Sequence, residues 1–495
     1  MIAMSPFARK LLIGTGVVVV GLGAFSGWVW YGNPTAEPIE QFEGTKPRIV
    51  DPQPETIPSF RIYKPVGWAA DAAPKAAEGL QVTRFAEGLQ HPRTLYTLPN
   101  GDVLVALTGG PKGDGPGGIE GFVQKIMFGI VGSGDASANE IVLLRDSKGT
   151  GKADQRFVLR HDGLESPSGM AYGDGKLYIA NHNAVLAFDY KLGDTALTGK
   201  PVKVMDLPGG GNHWMRNLLL SPDGKKLYVT IGSSSNIGEH GMKAEEGRAM
   251  IEEIDVAKIG SGKWPARPYA MGMRNPNGLG WNPSTGELWS VVNERDQLGP
   301  NLVPDYLSNV PIGVHYGWPW YYWKTKQDER VDAPIPEFLN DYVRKPEYAL
   351  GPHVAALGMV FVGDGVRMGD HFTNGAFIAR HGSWNRRPAV GYDVVFVEFD
   401  DHGNPIGLPK PVLTGFLDDK GAHGRPVWVQ WARDGALLVS DDTAGIVWRV
   451  IAPGAKPTVA PKPVVTAPMP PQTELKGDPN REYSAGFQAD GRVKQ

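Results

Sequence analysis

Residues 221–232 read SPDGKKLYVTIG. A Pro-Asp-Gly turn is followed by Leu227, Tyr228, Val229, Thr230 and Ile231, β-branched, aromatic and apolar residues that suit a strand, and the Asp-Gly step suits a tight hairpin. The same order recurs along the chain: LPNGDVLVAL (98–107), YGDGKLYIAN (172–181), NPSTGELWSVVNE (282–294), FTNGAFIARHG (372–382) and ARDGALLVSDD (432–442). Each is a glycine-containing turn, a strand and then a polar loop. The units leave more residues apiece than the ~40–50 that one propeller blade needs, and the surplus reads as loops between strands. The pattern predicts an all-β fold, a six-bladed β-propeller over residues 76–452.

Composition agrees with that reading and excludes others. Gly (65) and Pro (42) are abundant, and both break helices, which argues against bundles and coiled coils. With 41% hydrophobic residues and 14 Trp, the chain can bury a large core. There is no cysteine, so disulfides, thiolate-ligated zinc, iron–sulfur clusters, thioether-attached haem and a Cys nucleophile are all excluded. A net charge of −3 without a long basic run predicts no nucleic-acid partner.

The two ends differ from the body. In residues 1–32, Arg9 and Lys10 precede Leu11–Tyr31, 21 residues without a charge. That length can span a bilayer, with Trp28, Trp30 and Tyr31 at the far interface. Basic residues on the N-terminal side predict an inner-membrane anchor with the body in the periplasm. Ala24 and Ser26 leave a cleaved signal segment as the alternative. Residues 33–75 and 453–495 are proline-rich and predict irregular arms, extended as a spacer or wrapped on the body.

In a propeller, loops from one end of every blade converge on the axis. The polar loops beside the predicted strands carry Asn181-His182-Asn183, Asn212-His213-Trp214, Ser233–Asn236, Asn293–Asp296, Arg380–Arg386, His423–Arg425 and Asp441-Asp442. Such a set suits an anionic or polyhydroxylated ligand. Asp146–Asp154 has the outline of a calcium loop but lacks acids at its third and fifth positions, and it reads as a turn.

These segments resemble the quinoprotein glucose/sorbosone dehydrogenase family. The resemblance is carried by GGGNHWMRNLLLSPDGKKLYVTIGSSSN (209–236), MRNPNGLGWNPSTGELW (273–289), VNERDQLGPNLVPDY (292–306), HYGWPWYYW (315–323), RHGSWNRRP (380–388) and GRPVWVQWARDGALLVSDDTAG (424–445). It covers roughly residues 80–450 in the family's order, and its membrane-associated L-sorbosone dehydrogenase-like branch is the most similar. The resemblance implies pyrroloquinoline quinone (PQQ) and calcium in the axial cleft. It implies oxidation of an aldose or of a keto-aldehyde such as L-sorbosone.

By position, His213 matches the family's general base, and an imidazole accepts a proton near neutrality. Arg274 and Asn275 match the pair at the reacting centre. Arg425 matches a cation that pairs with PQQ carboxylates, a task suited to a planar guanidinium. His381 stands where the family has a lysine facing PQQ, and Arg386 is the neighbour expected to restore that charge. The family's metal loop falls at Arg295-Asp296, where calcium ligation through backbone carbonyls is implied. Without haem of its own, the chain would pass electrons to a membrane quinone or a separate cytochrome.

Two other classes compete. Gly113-x-Gly115-x-x-Gly118 follows a strand and precedes the apolar run Ile119–Val131, the outline of a nicotinamide-binding loop, but Pro116 interrupts it and no βα alternation follows. A non-catalytic sugar-binding propeller, or a lactonase on the same scaffold, is the other.

Overall fold

A computed structural model describes residues 5–31, 35–55, 63–111 and 138–464. Each of the six turn–strand segments is the hairpin between the first and second strands of one antiparallel sheet, and the six sheets form a β-propeller. Blade 1 runs from Pro92–Thr97 to Gln155–Arg160, blade 2 from Gly169–Gly173 to Val202–Asp206, and blade 3 from Leu218–Leu220 to Ala266–Met271. Blade 4 runs from Asn275–Trp281 to Tyr348–Pro352, and blade 5 from Ala356–Phe361 to Pro405–Thr414. Blade 6 takes Pro426–Trp431, Leu437–Asp441 and Ile446–Ile451 from the end of the body, and Gln81–Ala86 from its beginning.

Strand register decides where function sits. Pro92 lies opposite Leu107, Gly169 opposite Ala180, Asn275 opposite Asn293, Ala356 opposite Arg380, and Pro426 opposite Asp441. The loop entering each first strand and the loop leaving each second strand therefore share one end of the molecule. First strands line the axis, and two glycines set their spacing. A Cβ on Gly278 would lie 2.6 Å from the Leu357 carbonyl, and one on Gly358 would lie 2.6 Å from the Trp428 Cα. Second strands are sandwiched between neighbouring blades. Val103–Leu107 and Gly375–Arg380 are buried at every position, which is why these strands read as apolar runs rather than alternations.

The N-terminal arm wraps on the body wherever it is described. Glu43–Gly44 adds a fifth strand to blade 4, and Lys75–Ala76 adds one to blade 5. The buried Glu43 carboxylate meets Arg380 at 2.5 Å, and the other side of that guanidinium meets Asp393 at 2.6 Å. At the other end, Val464 donates to the Ser284 carbonyl. Residues 56–62 and 465–495 of the two arms lie outside the described residues, as do the Gly113–Gly118 loop and the Ile119–Val131 run. The Asp146–Asp154 segment is a turn, as predicted: Asp146 accepts from the Thr150 and Gly151 amides, and Asp154 from Ser147.

Pro6–Tyr31 forms one helix, of whose side chains only part is described. Among the described residues no helix is long and apolar enough to cross a membrane. The expected anchor is therefore not established by the fold.

Removing Glu43 leaves Arg380 paired with Asp393, so the cost is that of one hydrogen bond to a charged group, about 2 kcal/mol. Glu43→Ala is expected to lose about that much stability in urea unfolding. An unchanged midpoint would show that the arm contributes nothing to the body.

Candidate active site at the axial end

His213 enters the axial end on the loop before blade 3. Its Nδ1 lies 3.0 Å from both the Ser233 carbonyl and the Ser233 Oγ. The Ser233 hydroxyl proton is donated to the Ser235 carbonyl at 2.7 Å, so Oγ faces the ring as an acceptor. With acceptors on both contacts, Nδ1 carries the proton and Nε2 keeps its lone pair. No hydrogen bond engages Nε2 among the described residues. Desolvation of the ring, helped by the Arg274 charge, pushes its pKa down to about 3. The imidazole is neutral throughout the physiological range. Glu245 fixes the loop beneath it, accepting from the Ser234 amide and the Ser234 and Ser235 hydroxyls.

Arg274 and Asn275 lie beside His213. Asn275 and His213 flank Gly232, where a Cβ would come within 2.5 Å of both. The Arg274 guanidinium donates to the Asn236 carbonyl and Oδ1 at 3.2 and 2.9 Å, to the Glu294 carbonyl at 2.6 Å, and to Asp296 at 3.1 Å. A second cluster lies across the blade 6–blade 1 seam. Asp442 accepts from Arg93 at 2.6 Å and from His381 Nε2 at 3.1 Å. Burial alone would raise the Asp442 pKa, but His381, Arg93 and Arg425 hold it well below the usual carboxylate range. Burial, reinforced by Arg425, pushes His381 down to about 4. Arg425 donates to the His381 and Gly382 carbonyls at 3.0 and 2.8 Å and lies over the Tyr392 ring. The clusters meet through Trp214, next to His213, whose ring lies 5.6 Å from the Arg93 guanidinium carbon.

One expectation fails on geometry, and two further residues have their side chains engaged within the protein. Arg386 is buried against the N-terminal arm, donating to the Pro300 carbonyl at 2.9 Å and the Glu37 carbonyl at 2.5 Å, and it does not join Arg425 and His381. Arg295 is also turned inward, with its guanidinium paired to Asp328 and donating to the Asp296 carbonyl. Asp296 is committed as well: its carboxylate takes Arg274, Asn385 at 2.9 Å and His353 at 3.3 Å. A calcium ion bound through the carbonyls of this loop would have to share or displace hydrogen bonds they already accept. The carbonyls of Glu294, Asp296, Gln297, Leu298, Gly299 and Pro300 already accept protein hydrogen bonds, from Arg274, Asn236, Arg330, Gln53, His353 and Arg386 among others. Among the described residues no group of three or more His, Asp or Glu side chains could hold a metal ion.

Sequence reading missed Arg93 and His353, and took Asn236 and Asn385 only as members of the polar loops Ser233–Asn236 and Arg380–Arg386. Arg93 carried a legible signal, because His91-Pro92-Arg93 opens the first strand of blade 1 as Arg425-Pro426 opens that of blade 6. The other three are ordinary loop polar residues whose role comes from long-range contact with Asp296.

A family model described as TrAA12-like matches residues 131–309 and 337–452. The chain is 23% identical over 441 residues to the pyrroloquinoline quinone-dependent pyranose dehydrogenase of Coprinopsis cinerea, covering 78% of this chain and 55% of that protein. It therefore spans just over half of that relative's length. Identity to the pyrroloquinoline quinone-dependent sugar dehydrogenase of Hypocrea jecorina is 24% over 426 residues, covering 76% of this chain and 89% of the relative. The calcium structure of the Trichoderma reesei carbohydrate-active enzyme of family AA12 superposes with a TM-score of 0.61 at 22% identity, covering 76% of this chain and 96% of the other. Propeller, axial site and matched residues lead to one statement of kinship: the chain belongs to the TrAA12-like family of PQQ-dependent sugar dehydrogenases.

Proposed function

We propose that the chain oxidises the hydroxyl of an aldose, or the hydrated aldehyde of a keto-aldehyde such as L-sorbosone, with PQQ as the electron acceptor and His213 as the proton acceptor. The observation that carries the reading is the lone pair held on His213 Nε2 beside Arg274. When bound, PQQ supplies an ortho-quinone that takes up two electrons. The donors present suit its carboxylates. Arg93 spends one Nη on a methionine sulfur, Met215 Sδ, and its buried Nε has no partner, so the cation is incompletely satisfied by the protein. Arg93 and Arg425 are the residues we assign to the carboxylates, and Asn275 to the cofactor's reacting edge; His381 spends its one N–H on Asp442 and braces that cluster from behind. To Arg274, held by four contacts, we assign the stabilising of negative charge on the substrate oxygen as its proton leaves to His213.

A calcium requirement is supported by the calcium form of the Trichoderma relative. In this chain the ion would have to share or displace hydrogen bonds of the 294–300 loop. Membrane attachment is supported by the apolar side chains exposed on the Pro6–Tyr31 helix, Val17–Val20 and Leu22. With Arg9 and Lys10 inside, the body faces the periplasm and delivers electrons to a membrane quinone or a separate cytochrome.

Apoprotein reconstituted with PQQ and calcium is expected to oxidise sorbosone or glucose with an artificial electron acceptor. Turnover only with a nicotinamide cofactor would sink the proposal. EDTA treatment is expected to abolish turnover until calcium is restored, and full activity without calcium would remove the metal from it. In cells, the protein is expected in the inner-membrane fraction and open to protease from the periplasmic side. Recovery from the cytosol would reject the anchor.

His213→Gln is expected to lower kcat about a thousandfold with PQQ still bound. The pH dependence follows from the lowered pKa. The folded ring titrates at about 3, against about 6.5 unfolded, so the unfolded chain binds the proton first. His213 therefore costs stability as pH falls from about 6.5 to about 3, while its base form persists. The kcat/KM profile is expected to show no acid limb near 6.5 from this residue. Such a limb, absent in His213→Gln, would refute the assignment.

A further inference from the structure

The N-terminal arm reaches the Arg425 loop from behind. Val66 donates to the Ala422 carbonyl at 2.8 Å, and the Ala422 amide donates to the Lys64 carbonyl at 3.0 Å, which docks the arm on the loop before blade 6. Trp68 then packs edge-on against Phe416 and Trp448 and lies 5.1 Å from the His423 ring. Its Nε1 donates to Asp441 Oδ2 at 3.1 Å, an oxygen that Trp448 Nε1 also reaches at 3.2 Å. The other oxygen, Oδ1, accepts the backbone N–H of Arg425 at 2.8 Å and that of Ala444 at 3.1 Å.

Nothing in this stack is slack. A Cβ on Gly424 would collide with the Asp441 carboxylate, so the loop rests directly on that group. His423 Nδ1 donates to the Gly67 carbonyl at 2.8 Å, closing the arm over the same loop. Arg425 leaves the stack to bind the His381 and Gly382 carbonyls, in contact with the Asp442 cluster.

We propose that Trp68 is a positioning residue for Arg425. By filling one oxygen of Asp441, the indole N–H fixes the carboxylate whose other oxygen holds the Arg425 backbone. The arm thereby sets the affinity of the site for an anionic cofactor, although it contributes no group to the site itself. This rests on the reading of Arg425 as a PQQ-binding cation.

Calorimetric titration of the purified, PQQ-free full chain with PQQ tests it. Trp68→Phe keeps an aromatic ring in the stack and removes only the donor. Its Kd for PQQ is expected to rise about tenfold, the size of one hydrogen bond to a charged group, with kcat at saturating PQQ changed far less. Trp281→Phe is the control, because it loses an indole hydrogen bond, to the Leu220 carbonyl at 2.8 Å, in the hairpin end of blade 4. Its Kd is expected to stay at the wild-type value even where its Tm falls. An unchanged Kd in Trp68→Phe, or an equal rise in both variants, would overturn the positioning role. Failure of the wild-type chain to bind PQQ would instead overturn the functional reading itself.

Discussion

Gln81–Ala86 pairs along Ile446–Ile451, and this joint turns a curved row of sheets into a ring. Until it forms, blade 6 has three strands, and the outer edge of Ile446–Ile451 presents unpaired backbone groups. The joint closes a loop comprising nearly the whole body, yet the entropic cost of closure grows only with the logarithm of loop length. Closure also gives every second strand a neighbour on both faces. The candidate site depends on it directly, since Arg93 lies on one side of the seam and Asp442 on the other. Ser440 Oγ reinforces that contact by donating to the Arg93 carbonyl.

The propeller was legible because each blade repeats one local instruction. A tight turn such as Asn100-Gly101 or Asp223-Gly224 fixes a hairpin without help from distant residues, and an apolar second strand reports burial between neighbours. What could not be read is where extra strands come from. Glu43–Gly44 and Lys75–Ala76 contribute two residues each, too short for any period to register. Their placement is decided by pairing with strands hundreds of residues away.

The site divides along the same line. His213, Arg274 and Asn275 come together because the segments carrying them adjoin successive first strands on the axis. The charge of Arg386 was misplaced, and that of Arg295 left unread, for one physical reason. A guanidinium can reach several carbonyls far from its own Cα, so sequence position says little about what its charge serves. Asp328, which pairs with Arg295, and the Glu37 carbonyl, which holds Arg386, come from distant segments with no local mark. Arg93 is the converse case, with a readable position but a function visible only through Asp442.

The internally braced 294–300 loop bears on the order of events in the life of the protein. Its carbonyls are held by Arg274, Asn236, Arg330, Gln53, His353 and Arg386, all of them groups of the chain itself. A loop shaped by its own polypeptide needs no external template to take form. Biosynthesis of the polypeptide and supply of the cofactor then need not coincide in time.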